Sequence, residues 1–402
     1  MKKTLFKDVL LSTVFVFICI FLFRFIVVNA HFLDPIKNAL KDFEVLDLAL
    51  TEFEKQNNTG ADTNIVIINI GELDRKGISV LLNTINEFQP KVVGLDVTFN
   101  QLKDPETDSM LAYALKNTPN LVKASLFEYE GEHISSYSGL MTSHPKFNIY
   151  GENAFVNFVS AEKENTIRYF IPHEIYKGKK IDFFSTALAG KYLPENPVKS
   201  AKYKDPKPEL IHYKGNRENF IVFEPDDIND SNENLNVIRN KIVMIGFMGV
   251  DKDKPELEDL HFTPMNPKYS GRSFPDMYGI VIHANIVSMI LKHDQIKEIP
   301  RWLMYIISFI FCLLHMYFFI KYYVHRHLWF HLFFKAIQLV TSVLVVGISL
   351  YLFIYNHIRL DTSALLIPII LTVDLLYFYD AIVKALHNKF GYKTIFIYHK
   401  IT

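Results

Sequence analysis

Four long apolar stretches, one at the start of the chain and three at its end, decide what the rest of the sequence can be. Residues 9–30 are apolar apart from Ser12, Thr13, Arg24 and Asn29 and follow Lys2, Lys3 and Lys7. Residues 302–320, 332–355 and 363–383 are apolar over similar lengths. About 20 apolar residues carry a helix across a hydrocarbon layer, so each stretch is a candidate membrane span. The polar residues 31–300 between them are then one very large loop, long enough to fold as a domain. The first stretch has a rival reading as a cleaved signal peptide, because Val28-Asn29-Ala30 resembles a small-residue cleavage site after a basic leader. The length of the run, and Arg24 standing before that site, argue for an uncleaved anchor. Under either reading, residues 31–300 are exported.

Charge in the short loops sets the expected orientation. Lys321 and Arg326 lie between the second and third stretches, Lys384, Lys389, Lys393 and Lys400 come after the fourth, and residues 356–361 offer only Arg359. The positive-inside rule then puts both termini in the cytoplasm and residues 31–300 outside it. The expected organisation is a signal anchor (1–30), an extracytoplasmic domain (31–300), three transmembrane helices (301–383) and a short basic cytoplasmic tail (384–402). The expected location is the bacterial inner (plasma) membrane, with the main domain periplasmic. Two intramembrane polar residues stand out in the last stretch, Asp374 and Asp380. Asp380 reads as a solvated residue near the cytoplasmic boundary. Asp374 lies deeper, where an acidic group costs several kcal/mol unless partnered. It is either a protonated or hydrogen-bonded packing residue, or a relay or a polar contact to another subunit.

The middle region alternates strand-like and helix-like segments. Residues 65–70, 91–96, 120–124, 154–159, 168–175, 210–213, 220–223 and 242–246 read as strands, and 78–88, 108–116 and 281–291 as helices. Such alternation predicts an α/β fold with a mostly parallel sheet covered on its faces, forming a single domain with an insertion. Residues 31–56 read as an amphipathic connecting helix. Lys plus Arg and Asp plus Glu both number 43, so no net charge draws the chain to nucleic acid. The only cysteines, Cys19 and Cys312, fall in apolar stretches, leaving the middle region without a thiol for a disulfide, a zinc site or a nucleophile.

Several segments of this region then match, in order, the signatures of a known family. Val92-Val93-Gly94-Leu95-Asp96-Val97-Thr98-Phe99 is similar to its early strand ending in aspartate, with Asp108 and a helix following. Asn165-Thr166-Ile167-Arg168-Tyr169-Phe170-Ile171-Pro172 resembles a "DGvvRrvP" segment, Leu210-Ile211-His212-Tyr213-Lys214-Gly215 an "InYrG" segment, and Asn240-Lys241-Ile242-Val243-Met244-Ile245-Gly246 a "gKiVlIG" segment. Asp259-Leu260-His261-Phe262-Thr263-Pro264 and Gly279-Ile280-Val281-Ile282-His283-Ala284-Asn285 resemble "D.h.TP" and "pGveiHAn". The family's tryptophan-proline-arginine stretch is reduced to Arg75-Lys76-Gly77. Together the segments resemble the second class of CHASE domain, an extracytoplasmic sensory module of bacterial adenylate cyclases, histidine kinases and serine/threonine kinases. The resemblance implies a sensory function. The roughly 19 residues after Val383 are too few for a kinase or cyclase core, so a separate output partner is expected.

The candidate ligand-binding residues are Asp96, Asp259, His261, Thr263, His283 and Asn285. Asp96 would sit at a strand's carboxyl end, where open α/β sheets collect ligands; its plainer role is capping or bonding loop amides. Asp259, His261 and Thr263, beside Pro264, either line a pocket or shape a turn. His283 and Asn285 either face a pocket or bond loop carbonyls. Gly246-Phe247-Met248-Gly249 lacks the spacing and lysine of a phosphate loop, and no serine stands in a nucleophile elbow. No catalytic residue, metal or cofactor is expected. The expected function is a membrane-anchored sensor that signals through another protein, or alternatively a subunit of an envelope complex that docks through this domain. A hydrolase or ion-coupled enzyme is the weaker third reading. Expected partners are membrane lipid, a protein of the envelope or inner membrane and an unidentified small molecule, but not nucleic acid.

Overall fold

The computed structural model describes residues 2–29, 61–129, 137–158, 166–195, 207–230, 234–250, 256–257, 259–266, 274–323 and 330–397. The proposed connecting helix at 31–56 lies outside the described residues. The chain divides into two compact units, Asp42–Ile296 on one hand and Met1–Lys41 with Lys297–Thr402 on the other.

The first unit is an α/β domain. Among the described residues its main sheet has seven strands: β1 (Asp62–Asn69), β2 (Val92–Leu95), β3 (Leu121–Tyr129), β4 (Tyr137–Met141), β5 (Glu152–Phe155), β6 (Phe220–Phe223) and β7 (Ile242–Gly246). Their spatial order is β6-β1-β7-β2-β3-β4, with β5 also paired to β3. All pairings are parallel except β3 with β4. The central strands are short, almost wholly apolar runs because both faces of the sheet are covered. Successive side chains alternate between faces. Ile65 and Ile67 of β1 join one core, while Val66 and Ile68 join the other.

Helices α2 (Arg75–Glu87) and α3 (Pro105–Asn117) cover the second of these faces; α1 belongs to the other unit. Asp74 caps α2 by accepting from Gly77 N at 2.8 Å, and Asp104 caps α3 by accepting from Thr107 N at 3.0 Å. Each cap satisfies an N–H that the first helical turn leaves open. The opposite face is covered by α4 (Phe184–Tyr192) and α5 (Gly279–Leu291).

The seven-strand, mostly parallel arrangement is the fold class expected from the sequence. The 168–175 segment differs from expectation: Tyr169–Phe170 and His173–Tyr176 belong to separate two-stranded ribbons. Pro172 stands between them without an N–H to continue a ladder. Its carbonyl instead accepts from Phe183 N at 3.0 Å. The strand expected at 154–159 ends at Phe155, and α4 fills a stretch where no helix was expected.

Among the described residues, the second unit holds four helices long and apolar enough to cross a membrane. They are α1 (Lys2–Asn29), α6 (Arg301–Tyr323), α7 (Phe330–Asn356) and α8 (Thr362–Phe390). Lys335 of α7 forms an ion pair with Asp374 of α8 at 2.8 Å. Asp380 is not the solvated residue its position suggested. Its side chain is 8% exposed and accepts from Tyr323 Oη at 2.8 Å and Lys384 Nζ at 2.5 Å.

Candidate functional site

The carboxyl ends of β6, β1, β7 and β2 lie side by side because these strands are parallel neighbours. The chain leaves β1 through Asn69, and one side chain there ties three strand exits together. Asn69 Nδ2 donates to Glu224 Oε2 (2.7 Å), just past β6, and to Gly249 O (2.8 Å), just past β7. Its Oδ1 accepts from Gly71 N (3.0 Å) and Met248 N (2.8 Å). Arg217 steadies Glu224 from the other side at 2.6 Å. The glycine turn after β7 is thereby fixed as a structural joint. A side chain at Gly246 would press within 3.0–3.1 Å of Ile280 on α5.

Asp96 comes directly after β2. Its N–H donates to Ile245 O at 2.8 Å, extending the pairing with β7 by one residue, and its carboxyl group stands half-buried at the sheet's carboxyl edge. Asp259 approaches from the connection between β7 and α5. Its backbone takes a left-handed φ of 70°, and its carbonyl accepts from Gly279 N at 3.2 Å. A Cβ on Gly279, the first residue of α5, would lie 3.3 Å from both Asp259 carboxylate oxygens. The carboxylate therefore rests on the first turn of the helix, where the positive end of the helix dipole favours it. Burial, reinforced by the negative charge of Asp259, raises Asp96 to about 7, so it holds a proton at pH values where an ordinary carboxyl group has lost it.

His261 extends this group, with Nε2 3.7 Å from Asp259 Oδ1. The Phe158 ring lies against both His261 (5.3 Å between centroids) and His283 (4.7 Å). His283 itself is buried on α5 among Phe158, Phe183 and Phe184. Its Nδ1 is 2.9 Å from Ser185 Oγ, on α4. Burial, with a smaller contribution from His261, pushes His283 down to about 3, so it is a neutral imidazole at physiological pH.

The other two candidates hold loops. Asn285 Oδ1 accepts from Lys214 N at 2.8 Å, and its Nδ2 donates to Gly215 O at 2.9 Å and Val281 O at 3.0 Å. Gly215 has φ of 154°, and a Cβ there would collide with Asn219 Oδ1 at 1.8 Å. The "HAn" and "YrG" segments are thus two sides of one joint. Thr263 donates through N (2.8 Å) and Oγ1 (2.5 Å) to the two carboxylate oxygens of Asp276, which burial raises to about 6 against those bonds.

The structure therefore gathers Asp96, Asp259 and His261, with His283 reached through Phe158. It commits Thr263 and Asn285 to loop geometry and places Asp374 and Asp380 in the other unit. Sequence reasoning missed Asn69, although a polar residue after the β-branched run 65–68 and two positions before Gly71 was a visible signal. It also missed what Arg75 does. Arg75 pairs with buried Asp108 and donates to Gln101 O, lying over the rings of Phe99 (5.7 Å) and Phe147 (5.5 Å). Lys103 N donates to Asp108 Oδ2 at 3.0 Å. The loop leaving Asp96 is thus clamped at its far end by Arg75.

No curated protein and no solved structure matches the chain. The CHASE2 domain model matches residues 16–318, which takes in the whole α/β unit together with apolar sequence on either side. The match spans most of the sequence, and the chain belongs to the CHASE2 domain family.

Proposed function

We propose that the protein is a multi-pass sensor of the bacterial plasma membrane whose α/β domain faces outward and binds a small ligand at the strand-end cluster. The membrane helices pass the change to a separate protein. The observation that carries this reading is the place of Asp96, a half-buried carboxyl group at the sheet's carboxyl edge beside Asp259. It faces the charge of Asp259 with no hydrogen bond to its side chain among the described residues. Groups with strongly shifted proton affinity in a strand-end crevice are where binding sites form in α/β sheets. We assign the cluster a binding role rather than a catalytic one: it offers carboxyl groups and an imidazole but no activated nucleophile. A ligand acts as a signal only if it binds two states of the protein with different affinity.

The test is thermal unfolding of the purified full-length chain in detergent against a panel of divalent cations, polyamines, amino acids and carboxylic acids. A compound that occupies this site stabilises the fold by mass action, by about 2.7 kcal/mol at a hundredfold excess over Kd, which raises the midpoint, and Asp96→Asn abolishes the gain. A panel compound whose effect survives Asp96→Asn would remove the cluster from the reading. Orientation is tested by cysteine placed at Lys177, exposed in a turn of the domain. In cells whose outer membrane alone is permeabilised, a membrane-impermeant maleimide labels it if the domain faces outward, whereas an inward-facing domain stays unlabelled until the plasma membrane is opened.

A second reading, a docking subunit of an envelope complex, is favoured by Val250, Leu257 and Phe274. These are large apolar residues 48–73% exposed in the connection between β7 and α5. Under it, no compound shifts the midpoint, and a fixed set of envelope proteins co-purifies until these three residues are replaced by serine.

A further inference from the structure

After α8 the chain turns back on the helices it has just left. Gly391 takes a left-handed φ of 68° and its N–H bonds to His387 O at 2.8 Å, ending the helix. The next residues pack onto α1. Asp8, fully buried on α1, accepts hydrogen bonds from Ile395 N (2.8 Å), Thr394 Oγ1 (3.0 Å) and Tyr379 Oη (3.3 Å). Lys7 lies 3.8 Å from the centroid of the Tyr392 ring, and the Phe396 ring sits against Tyr323 of α6 (5.7 Å) and Tyr379 of α8 (5.9 Å). Residues 391–397 thus touch three helices at once, two of which are the ones that enter and leave the outer domain.

A buried carboxylate answered by three neutral donors, with no ion pair among the described residues, survives only while those donors are in place. If residues 391–397 lift away, Asp8 loses two of the three and must reach water, which requires α1 to move. Conversely, displacement of α1 withdraws the acceptor that holds the segment. The two events are therefore linked, and linkage acts in both directions. We propose that residues 391–397 form a latch that is closed on Asp8 in one position of α1 and released in another. The inference draws on the reading above only in taking the outer domain as the source of α1 movement.

The test uses the full-length chain in lipid nanodiscs with Cys19 and Cys312 replaced by alanine. Spin labels at Lys3→Cys and Lys393→Cys, both exposed positions, report a single narrow distance in the parent. The expected result is loss of that narrow distance on Asp8→Ala. Thr394→Val keeps the side-chain volume, removes one donor and serves where Asp8→Ala does not insert. The reciprocal arm follows Val9→Cys, at a buried position on α1. It resists a water-soluble maleimide in the parent and becomes reactive with Thr394→Val. A narrow distance that survives both substitutions, or a Val9→Cys site that stays protected after the segment is freed, would overturn the latch. Neither arm involves an outer-domain ligand, so failure of the sensing site leaves this result standing, and the reverse also holds.

Discussion

The two faces of the sheet share the same strands but bury different chemistry. On the α2 and α3 side the core is mainly aliphatic, with Val66, Ile68, Val93, Leu95, Val243 and Ile245 from the strands meeting Ile78, Leu82, Ile85, Leu111 and Leu115 from the helices. This side also hides charge. Arg75 and Asp108 are paired within it, and Lys123 is fully buried, donating to Phe147 O at 2.7 Å while burial pushes its amine down to about 8. On the α4 and α5 side the core is rich in aromatic rings, with Phe127, Phe155, Phe170, Phe183, Phe184 and Tyr213; His283 and Asn285 are buried in it, and Asp62 accepts from Ser288 of α5 and pairs with Lys292. The aliphatic side is a scaffold that clamps the loop after β2. The aromatic side receives the long chain excursion between β5 and β6 and adjoins the candidate site. The 210–215 and 279–285 segments meet there through Asn285.

The largest expected effect that sharpens this comparison is a cavity on the aromatic side. Phe184 is fully buried, its ring reaches toward Gly94 of β2, and it packs on His283. Phe184→Ala is expected to destabilise the domain by about 3–5 kcal/mol and to release His283 for titration. Leu115→Ala on the aliphatic side is expected to cost about 2–5 kcal/mol and to leave His283 buried. Denaturant titration with histidine NMR separates the two, and equal effects on His283 would mean that the faces are not independent. Asn285→Ala is next. It leaves Lys214 N and Gly215 O without partners, at about 1–3 kcal/mol for each group buried. Proteolytic cleavage near 213–216 should accelerate, whereas Leu115→Ala should leave that turn protected.

The same contrast explains what could be read from the sequence. α2 and α3 show one apolar stripe and one polar face, and both carry an aspartate cap, so their periodicity announces them. Every residue of α5 from Gly279 to Ile290 is buried, which leaves a continuous apolar run visible as a segment but without a face. α4 is nine residues long with six of them buried, and it comes after a ribbon with no sequence break to mark its start. Its existence is decided by tertiary packing, which no local pattern records. At the site, Asp96 was legible from its place after an apolar strand. The approach of Asp259 was not, because 163 positions separate the two and only the fold of the β7–α5 connection brings them together. Asn285 was visible as a motif residue, but its bond to the 213–215 turn joins two segments that sequence reasoning treated separately.

Smaller effects concern proton binding, and the two sides of the site pull in opposite directions. Asp96 has a folded-state pKa near 7, against about 3.9 in an unfolded chain. The native state therefore binds more protons than the unfolded state between these values, and stability falls as pH rises from about 4 to 7. Asp96→Asn should flatten that slope and stabilise the domain at pH 8. The full shift corresponds to about 4 kcal/mol, but the carboxyl group is only half-buried, so about 2 kcal/mol is expected after allowance for solvent screening. His283, held down to about 3, works the other way. The unfolded chain takes up a proton below about 6.5 that the folded chain refuses, so stability falls as pH drops from there toward 3. The net of the two is a shallow dependence between pH 5 and 6.5, smaller than either alone. Asp96→Asn should unmask the His283 branch as a stability that declines steadily on acidification, readable in thermal midpoints from pH 7 to 4.5. An Asp96→Asn profile that instead stays flat through this range would show that the His283 imidazole takes up a proton inside the fold, and that the aromatic face is open to water.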